Sequence, residues 1–420
     1  MSKIKKNNKL FIKNVNIFFI GVVVLFSLLF FSINVYPENF HSVELGGIGI
    51  AILISLPFIF IKSRGIVLCM HVIIISIIIS IYMAYTSWNQ NYADTIKATI
   101  PYATWFFFFY LVGQKIQIAD LEKIVVFFGI VYIVLYLYQF ANSQTVIFGF
   151  KGEYKQDRGI TRIVFPGASV FMLTLFIALN KYSENTRTRW NWLFLVIFGF
   201  GIVIMQVTRI TIIVVSLIYC YHFIKDQPFY KKTFTVVAII GLIIFILFQN
   251  IPLVDGLLTV SSTVKHSGFD TDNVRVMAAD FFLNKYSPSV FNQIFGNGIP
   301  YPNTKYGFFE KILGNFKGFY FFDVGLITFY VFFGIFALVA LVVLIFQCYK
   351  IPVPKKNSYL KYYLFFLIFT GFTSDSLLSH NYIIVNVFVF YMFYLIDIQN
   401  KLNNKKRRIR HIKLGCYSYS

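Results

Sequence analysis

Acidic residues are scarce in this chain. Against 38 Lys and Arg stand 17 Asp and Glu, a net charge of +21, and charged residues of both signs make up only 13% of the 420. A soluble domain carries roughly a quarter of its residues as charges, so an ordinary globular fold is excluded. Cysteine is scarce too. Cys69, Cys220, Cys348 and Cys416 lie in apolar segments, near their cytoplasmic ends or in the tail, and no structural disulfide is expected of them. No Cys and His cluster has zinc-like spacing, and no metal is expected. Linkers rich in Pro, Gly or Ser are missing, and so is any internal repeat. The alternation of apolar and polar residues needed for a membrane barrel is absent.

What the chain has is apolar sequence, at 58% hydrophobic. About a dozen stretches approach membrane-spanning length. They cover residues 17–33, 45–61, 66–85, 98–112, 124–141 and 163–179, then 192–206, 210–223, 233–248, 325–346, 360–372 and 383–396. Several cores are short, and flanking aromatic residues extend them into the interface. In lipid a backbone must satisfy its own hydrogen bonds, so these are expected to be helices. The expected fold is an all-α polytopic membrane protein with about 12 transmembrane helices and one large exported loop.

The charges orient this topology. With the N-terminus in the cytoplasm and sides alternating at each stretch, the cytoplasmic side holds most of the 38 basic residues and few of the 17 acids. The exported side is then neutral, and the basicity is a topology signal rather than a nucleic-acid footprint. A basic run (Lys3, Lys5, Lys6, Lys9, Lys13) precedes the first stretch, and no small-residue cleavage site follows it, so it reads as a retained helix. The basic tail 401–413 places the C-terminus in the cytoplasm as well. The expected location is a cytoplasmic (inner) cell membrane, crossed many times.

Two connections are long, 142–162 and 249–323, both on the exported side. A structureless loop of the second length is improbable in a compact protein. Residues 1–420 therefore read as one helical membrane domain, with 250–322 as a loop subdomain between the ninth and tenth helices. Within it, Thr271-Asp272-Asn273 is a helix start, Val274, Met277, Phe281 and Phe282 recur near helical spacing, and Ser287-Pro288 ends the run. The pattern suits an amphipathic helix on the membrane surface. Gly296-Asn297-Gly298 follows as a tight turn where backbone can approach a ligand or another segment closely.

Any basic residue kept on the exported face needs a separate reason, and four arginines stand out: Arg158, Arg162, Arg209 and Arg275. Arg209 lies between two apolar runs with almost no polar loop, where a charge needs a partner. Guanidinium groups bind phosphate oxygens bidentately and stay charged. Snorkelling to headgroups, or pairing with a nearby acid, would also account for any one of them. Candidate acids and bases on this face are Glu153, Asp157, Asp270, Asp272, Asp280, Asp323, Asp375, His266 and His380. Asp323 opens the tenth helix and would equally serve as its N-cap. His380 suits a satisfied interface position, and His266 a solvated one.

In this order the features resemble the O-antigen polymerase and ligase superfamily, the Wzy-type polymerases in particular. The motifs that carry the resemblance are Arg158 and Arg162 with Pro166, then Thr208-Arg209, Arg275, Gly296-Asn297-Gly298 and Asp323-Val324-Gly325. It covers the topology of nearly the whole chain, and specific motifs from about Asp157 to Ile335. Ligases of the superfamily carry a His-Asn motif before the helix after the large loop. Here Phe322-Asp323 stands there, and His380-Asn381 comes two helices later, which favours polymerase over ligase.

The resemblance implies a membrane-embedded glycosyltransferase that polymerises polyprenyl-diphosphate-linked oligosaccharide repeat units into surface polysaccharide (capsule or lipopolysaccharide). Arg158, Arg162, Arg209 and Arg275 would bind the diphosphate, Asp323 or Asp280 would orient or deprotonate the acceptor hydroxyl, and Gly296 and Gly298 would form the loop turn. Expected partners are the lipid-linked oligosaccharides, membrane lipid, and chain-length regulator and flippase proteins. No cofactor and no nucleic acid are expected. Alternatives are a ligase-like glycan transferase and a lipid-linked oligosaccharide flippase or other transporter.

Overall fold

The structure, a computed structural model, describes residues 2–34, 40–149, 154, 156–157, 160–184, 189–206, 208–225 and 274–417. The regular structure of the described part is helical apart from a two-residue antiparallel ladder, Gln156–Asp157 against Ile160–Thr161, and an isolated bridge between Ile33 and Phe148. The first helices are α1 (Ser2–Ser27), α2 (Phe40–Ser55), α3 (Ile66–Trp88), α4 (Tyr92–Thr99) and α5 (Phe107–Gln114). Then come α6 (Ile118–Ala141), α7 (Ala168–Ser183), α8 (Arg189–Met205) and α9 (Arg209–Lys225). The described part of the expected loop subdomain holds α10 (Val274–Asn284), α11 (Val290–Phe295) and α12 (Lys305–Lys317), and then come α13 (Gly325–Lys350), α14 (Tyr359–Thr370) and α15 (His380–Tyr417). The expected helix at 233–248 and the loop residues 250–273 lie outside the described residues.

Among the described residues, 4 helical spans are long and apolar enough to cross a membrane: Ile66–Trp88, Ile118–Ala141, Phe321–Lys350 and His380–Lys406. Shorter apolar helices cover Phe11–Ser27, Ser42–Phe58, Ala168–Ser183 and Arg189–Met205. The stretch 98–112 is not one helix. α4 ends at Thr99, a 3₁₀ turn runs over Tyr102–Phe106, and α5 follows. Pro101 sits at the break, where it cannot donate to the preceding turn.

Outward faces are apolar. Leu68, Ile75, Ile78, Tyr82 and Tyr85 of α3 are all exposed and fall on one stripe at helical spacing. A water-facing helix would carry polar residues there. Two helices are buried on all sides: Ser169–Asn180 of α7, and Ile383–Phe393 of α15. In lipid such cores gain little from leaving the solvent, so tight packing and interhelical hydrogen bonds hold them.

Polar contacts gather at the two ends of the bundle. At one end Lys13 pairs with Asp120 at 2.9 Å, and Tyr359 donates to Glu122 at 2.6 Å. Lys181 joins Glu122 at 3.8 Å, and the Asn180 amide donates to the Lys356 carbonyl at 2.8 Å. At the other end the Gln139 side-chain amide oxygen accepts the Ile147 and Phe148 N–H groups, and the Ser169 hydroxyl donates to the Asn381 backbone carbonyl. Every candidate site residue among the described ones belongs to this second end or to the subdomain capping it.

Candidate functional site

The subdomain is held down by aromatic stacking on Trp88, the last residue of α3. The Tyr306 ring stacks on it at 4.3 Å, and Tyr286 and Phe309 lean against it at 5.4 and 5.6 Å. Below them the turn Gly296-Asn297-Gly298 is inserted into the bundle. The Asn297 and Gly298 N–H groups donate to the Val331 and Phe332 carbonyls at 2.8 and 3.0 Å. Those carbonyls are accessible because α13 is broken at Gly334, whose φ is 82°. A side chain would not fit at the contact points. A Cβ on Gly296 would lie 2.2 Å from the Phe332 oxygen, and one on Gly298 2.5 Å from the Ser80 oxygen. The Asn297 side chain, wholly buried, accepts from the Trp88 indole N–H at 3.1 Å and donates to Ser287 and Val331. Gly296 and Gly298 thus form a structural joint between α3, α13 and the loop.

α10 packs inward through Phe282, which stacks on Phe321 at 4.6 Å, and exposes Val276, Met277 and Leu283. Its Arg275 guanidinium lies 3.5 Å from the Asp323 carboxylate. Asp323 belongs to a 3₁₀ turn, Phe321–Val324, that leads into α13. Behind it the segment after α14 folds in. α14 has only 12 residues, about 18 Å against a hydrocarbon core of roughly 30 Å. The Leu326 N–H donates to the Gly371 carbonyl at 2.8 Å, and a Cβ on Gly325 would lie 1.9 Å from the Ser374 oxygen. This approach brings Asp375 to Asp323. Burial pushes the Asp375 carboxyl up, its own backbone N–H and the Ser379 hydroxyl pull it down, and the nearby Asp323 charge pushes it up.

Asp280 is placed differently. It is exposed on α10, accepts from Asn284 at 2.7 Å and pairs with Lys285 at 3.6 Å. Those partners make it a surface carboxylate on its own helix.

Arg162 follows the small ladder and precedes α7, and Arg209 is the first residue of α9. Each has a buried Nε with no hydrogen-bond partner among the described residues. A guanidinium uses Nε together with one Nη to grip a phosphate bidentately, so this edge is unused in both. Close to Arg209, the Gln206 amide donates to the buried Tyr132 hydroxyl at 3.0 Å, and the phenols of Tyr136, Tyr154 and Tyr382 lie within electrostatic range of Tyr132. Arg158 lies outside the described residues.

A cleft of about 230 Å³ opens between α12 and the segment leading to Asp323, lined by Glu310, Lys311, Asn315, Tyr320, Phe321 and Phe322. Glu310 is half-buried, and no described group donates a hydrogen bond to it or pairs with it within 4.0 Å. Burial pushes its carboxyl up to about 7, with Lys311 pulling it back. Sequence reading misses this residue, since Glu310-Lys311 looks like an ordinary solvated pair. Asp375 is among the sequence candidates but has no role assigned there. At the opposite end of the bundle a larger cavity of about 510 Å³ lies among Lys115, Glu122, Lys181, Lys356 and Gln399. Its acid Glu122 is already engaged by Tyr359 and Lys181.

Among the described residues no three His, Cys, Asp or Glu side chains cluster as a metal site would require. No protein-family model matches the chain, and no curated protein matches it significantly.

Proposed function

We propose that the chain is a membrane-embedded glycosyltransferase that polymerises polyprenyl-diphosphate-linked oligosaccharide units at the outer face of the membrane. The observation that carries the reading is the state of Arg162 and Arg209, both with a buried, unpartnered Nε at the end of the bundle that the charge distribution assigns to the exterior. Both side chains are half-buried, and leaving a buried N–H of a cation unsatisfied is costly; a diphosphate would complete it. In the reaction a sugar hydroxyl attacks the anomeric carbon of the growing chain, the bond from that carbon to the diphosphate oxygen breaks, and the diphosphate leaves with the electron pair. The leaving group needs no general acid. It needs positive charge where negative charge develops, which fixed arginines supply. Arg275, beside Asp323, would supply a further cation.

The experiment is deletion of the gene followed by analysis of surface glycan. Loss of polymer with single repeat units still reaching the final carrier supports polymerisation. Unchanged polymer overturns it.

A second reading, a flippase for lipid-linked oligosaccharide, draws on the break in α13 at Gly334, because discontinuous helices line transporter sites. The freed carbonyls of Val331 and Phe332 are taken up by the Asn297 and Gly298 N–H groups, however, so the break serves a packed joint rather than an open pathway. Absence of even single repeat units in the deletion strain would favour this second reading.

A further inference from the structure

The cleft beside α12 has a composition that the diphosphate site does not explain. It carries one carboxylate, one amide, one ammonium and a wall of aromatic rings. Tyr320 and Phe322 are 49% and 59% exposed, so their faces are available to a ligand. Gly314 lets the Tyr320 ring lie close to α12, since a Cβ there would sit 2.8 Å from the ring. Aromatic faces carry partial negative charge and attract polarised C–H groups, which line the faces of a sugar ring. Carboxylate and amide side chains accept and donate to its hydroxyls. The cleft is lined by Phe322, whose neighbour in the chain is Asp323.

Glu310 is the unusual member. A half-buried carboxylate without a donor or close cation among the described residues is disfavoured as an ion. The groups that face it are Lys311 and Tyr306 on its own helix, with Tyr286 and Tyr102 from the elements packed against it. Of these only Lys311 is a cation, and its effect is smaller than that of burial. Such a group is poised to take a proton near neutral pH.

We propose that this cleft binds the acceptor saccharide, with Tyr320 and Phe322 against the sugar faces and the Glu310 carboxylate accepting the proton of the attacking hydroxyl. The inference rests on the polymerase reading and adds to it the acceptor site and the base. The hydroxyl oxygen forms its bond to the anomeric carbon, its proton passes to Glu310, and the bond to the diphosphate oxygen breaks with the electron pair leaving on the diphosphate. Glu310 returns the proton to water after release.

The test uses the full-length protein expressed in the deletion strain. New polymer is measured by pulse-labelling cells at external pH from about 5 to about 9, and protein level in the membrane is measured alongside. The wild type should gain activity as pH rises through about 7, the value at which Glu310 ionises. Glu310→Gln, close in size, should lower polymer by about 100-fold or more at normal protein level, the usual contribution of a general base. Glu310→Asp should keep part of the activity with a displaced pH midpoint. Tyr320→Ala should weaken use of the lipid-linked repeat unit purified from the deletion strain, raising its KM, and Tyr320→Phe, which keeps the ring face, should raise it less. Wild-type polymer and an unchanged pH profile in Glu310→Gln would overturn the inference while leaving the polymerase reading intact. Polymer that persists in the deletion strain itself would instead remove that reading.

Discussion

The Arg275 guanidinium rests 3.5 Å from the Asp323 carboxylate, with 58% and 39% of their side-chain surfaces exposed. Two residues that sequence reading assigns to separate roles, one for phosphate and one for proton transfer, are thus partners. An exposed pair of this kind contributes about 0–1 kcal/mol, so its value to the fold is small. Its effect is on orientation, because the carboxylate holds the α10 guanidinium at the entrance to α13.

Asp323→Asn should therefore melt within a few degrees of wild type. It should lower polymer formation moderately, about 3- to 10-fold, through loss of Arg275 positioning, and keep the wild-type pH profile. Thermal unfolding in detergent and the pulse-labelling profile check this. A pH profile that flattens in Asp323→Asn would assign the base to Asp323 and take that role from Glu310.

Arg209 offers a sharper contrast between function and stability. Its Nε is buried without a described partner, so removing the charge should leave the unfolding temperature unchanged or raise it. Arg209→Ala should abolish polymer with the protein still in the membrane. Arg209→Lys should be poor as well, because an ammonium lacks the bidentate fork. Full activity in Arg209→Lys would show that only charge matters, and full activity in Arg209→Ala would eliminate the diphosphate role.

The glycine joint should behave in the opposite way. Gly298 has φ 72° and no room for a Cβ beside the Ser80 oxygen, so Gly298→Ala should destabilise strongly. Asn297→Leu leaves the Trp88 N–H and the Ser287 hydroxyl without their described partner, at about 1–3 kcal/mol for each group stranded. Loss of yield and a lower melting temperature are the expected readouts. Wild-type melting in both variants would show that the turn is not a joint.

Much of the helical framework is legible in the sequence, because each apolar run carries its own signal. The exceptions depend on distant partners. Gly334 looks tolerable inside a helix, where glycine costs only about 1 kcal/mol relative to Ala, and its break makes sense only once residues 296–298 are docked against it. Pro101 is a visible breaker inside an apolar run whose composition otherwise reads as one helix. Glu310 gives no sequence signal, since its tuning comes from burial within a subdomain assembled through Trp88. Arg162 and Arg209 are visible because cations between apolar runs are anomalous on local grounds alone.

The Glu310 environment also predicts a stability trend. Its folded-state carboxyl is raised from the ordinary 4.5 to about 7, so the folded protein binds the proton more tightly than the unfolded chain. Its contribution to stability is fully present below about 4.5, falls as pH rises from there to about 7, and levels off above that. Glu310→Gln removes this dependence. The variant should match wild type in acid and melt higher than wild type in alkali, as read by thermal unfolding across that range. A difference that grows toward acid would mean that the carboxylate is stabilised by an ion partner.

The sidedness on which the site depends can be tested directly. The basic residues concentrate on the loops assigned to the cytoplasm, and contacts such as Tyr359 to Glu122 and Lys181 to Glu122 gather at that end of the bundle. Asn303 and Lys356 are both exposed, the first in the subdomain and the second in the loop before α14. Cys69 and Cys348 are buried, so replacing Cys220 and Cys416 with Ser leaves a background of low reactivity. In that background Asn303→Cys should react with a membrane-impermeant maleimide in intact cells, and Lys356→Cys only after permeabilisation. The reverse pattern would put Arg162, Arg209, Asp323 and Glu310 on the cytoplasmic face, where the positive-inside rule fails and an exported polymerisation site is impossible.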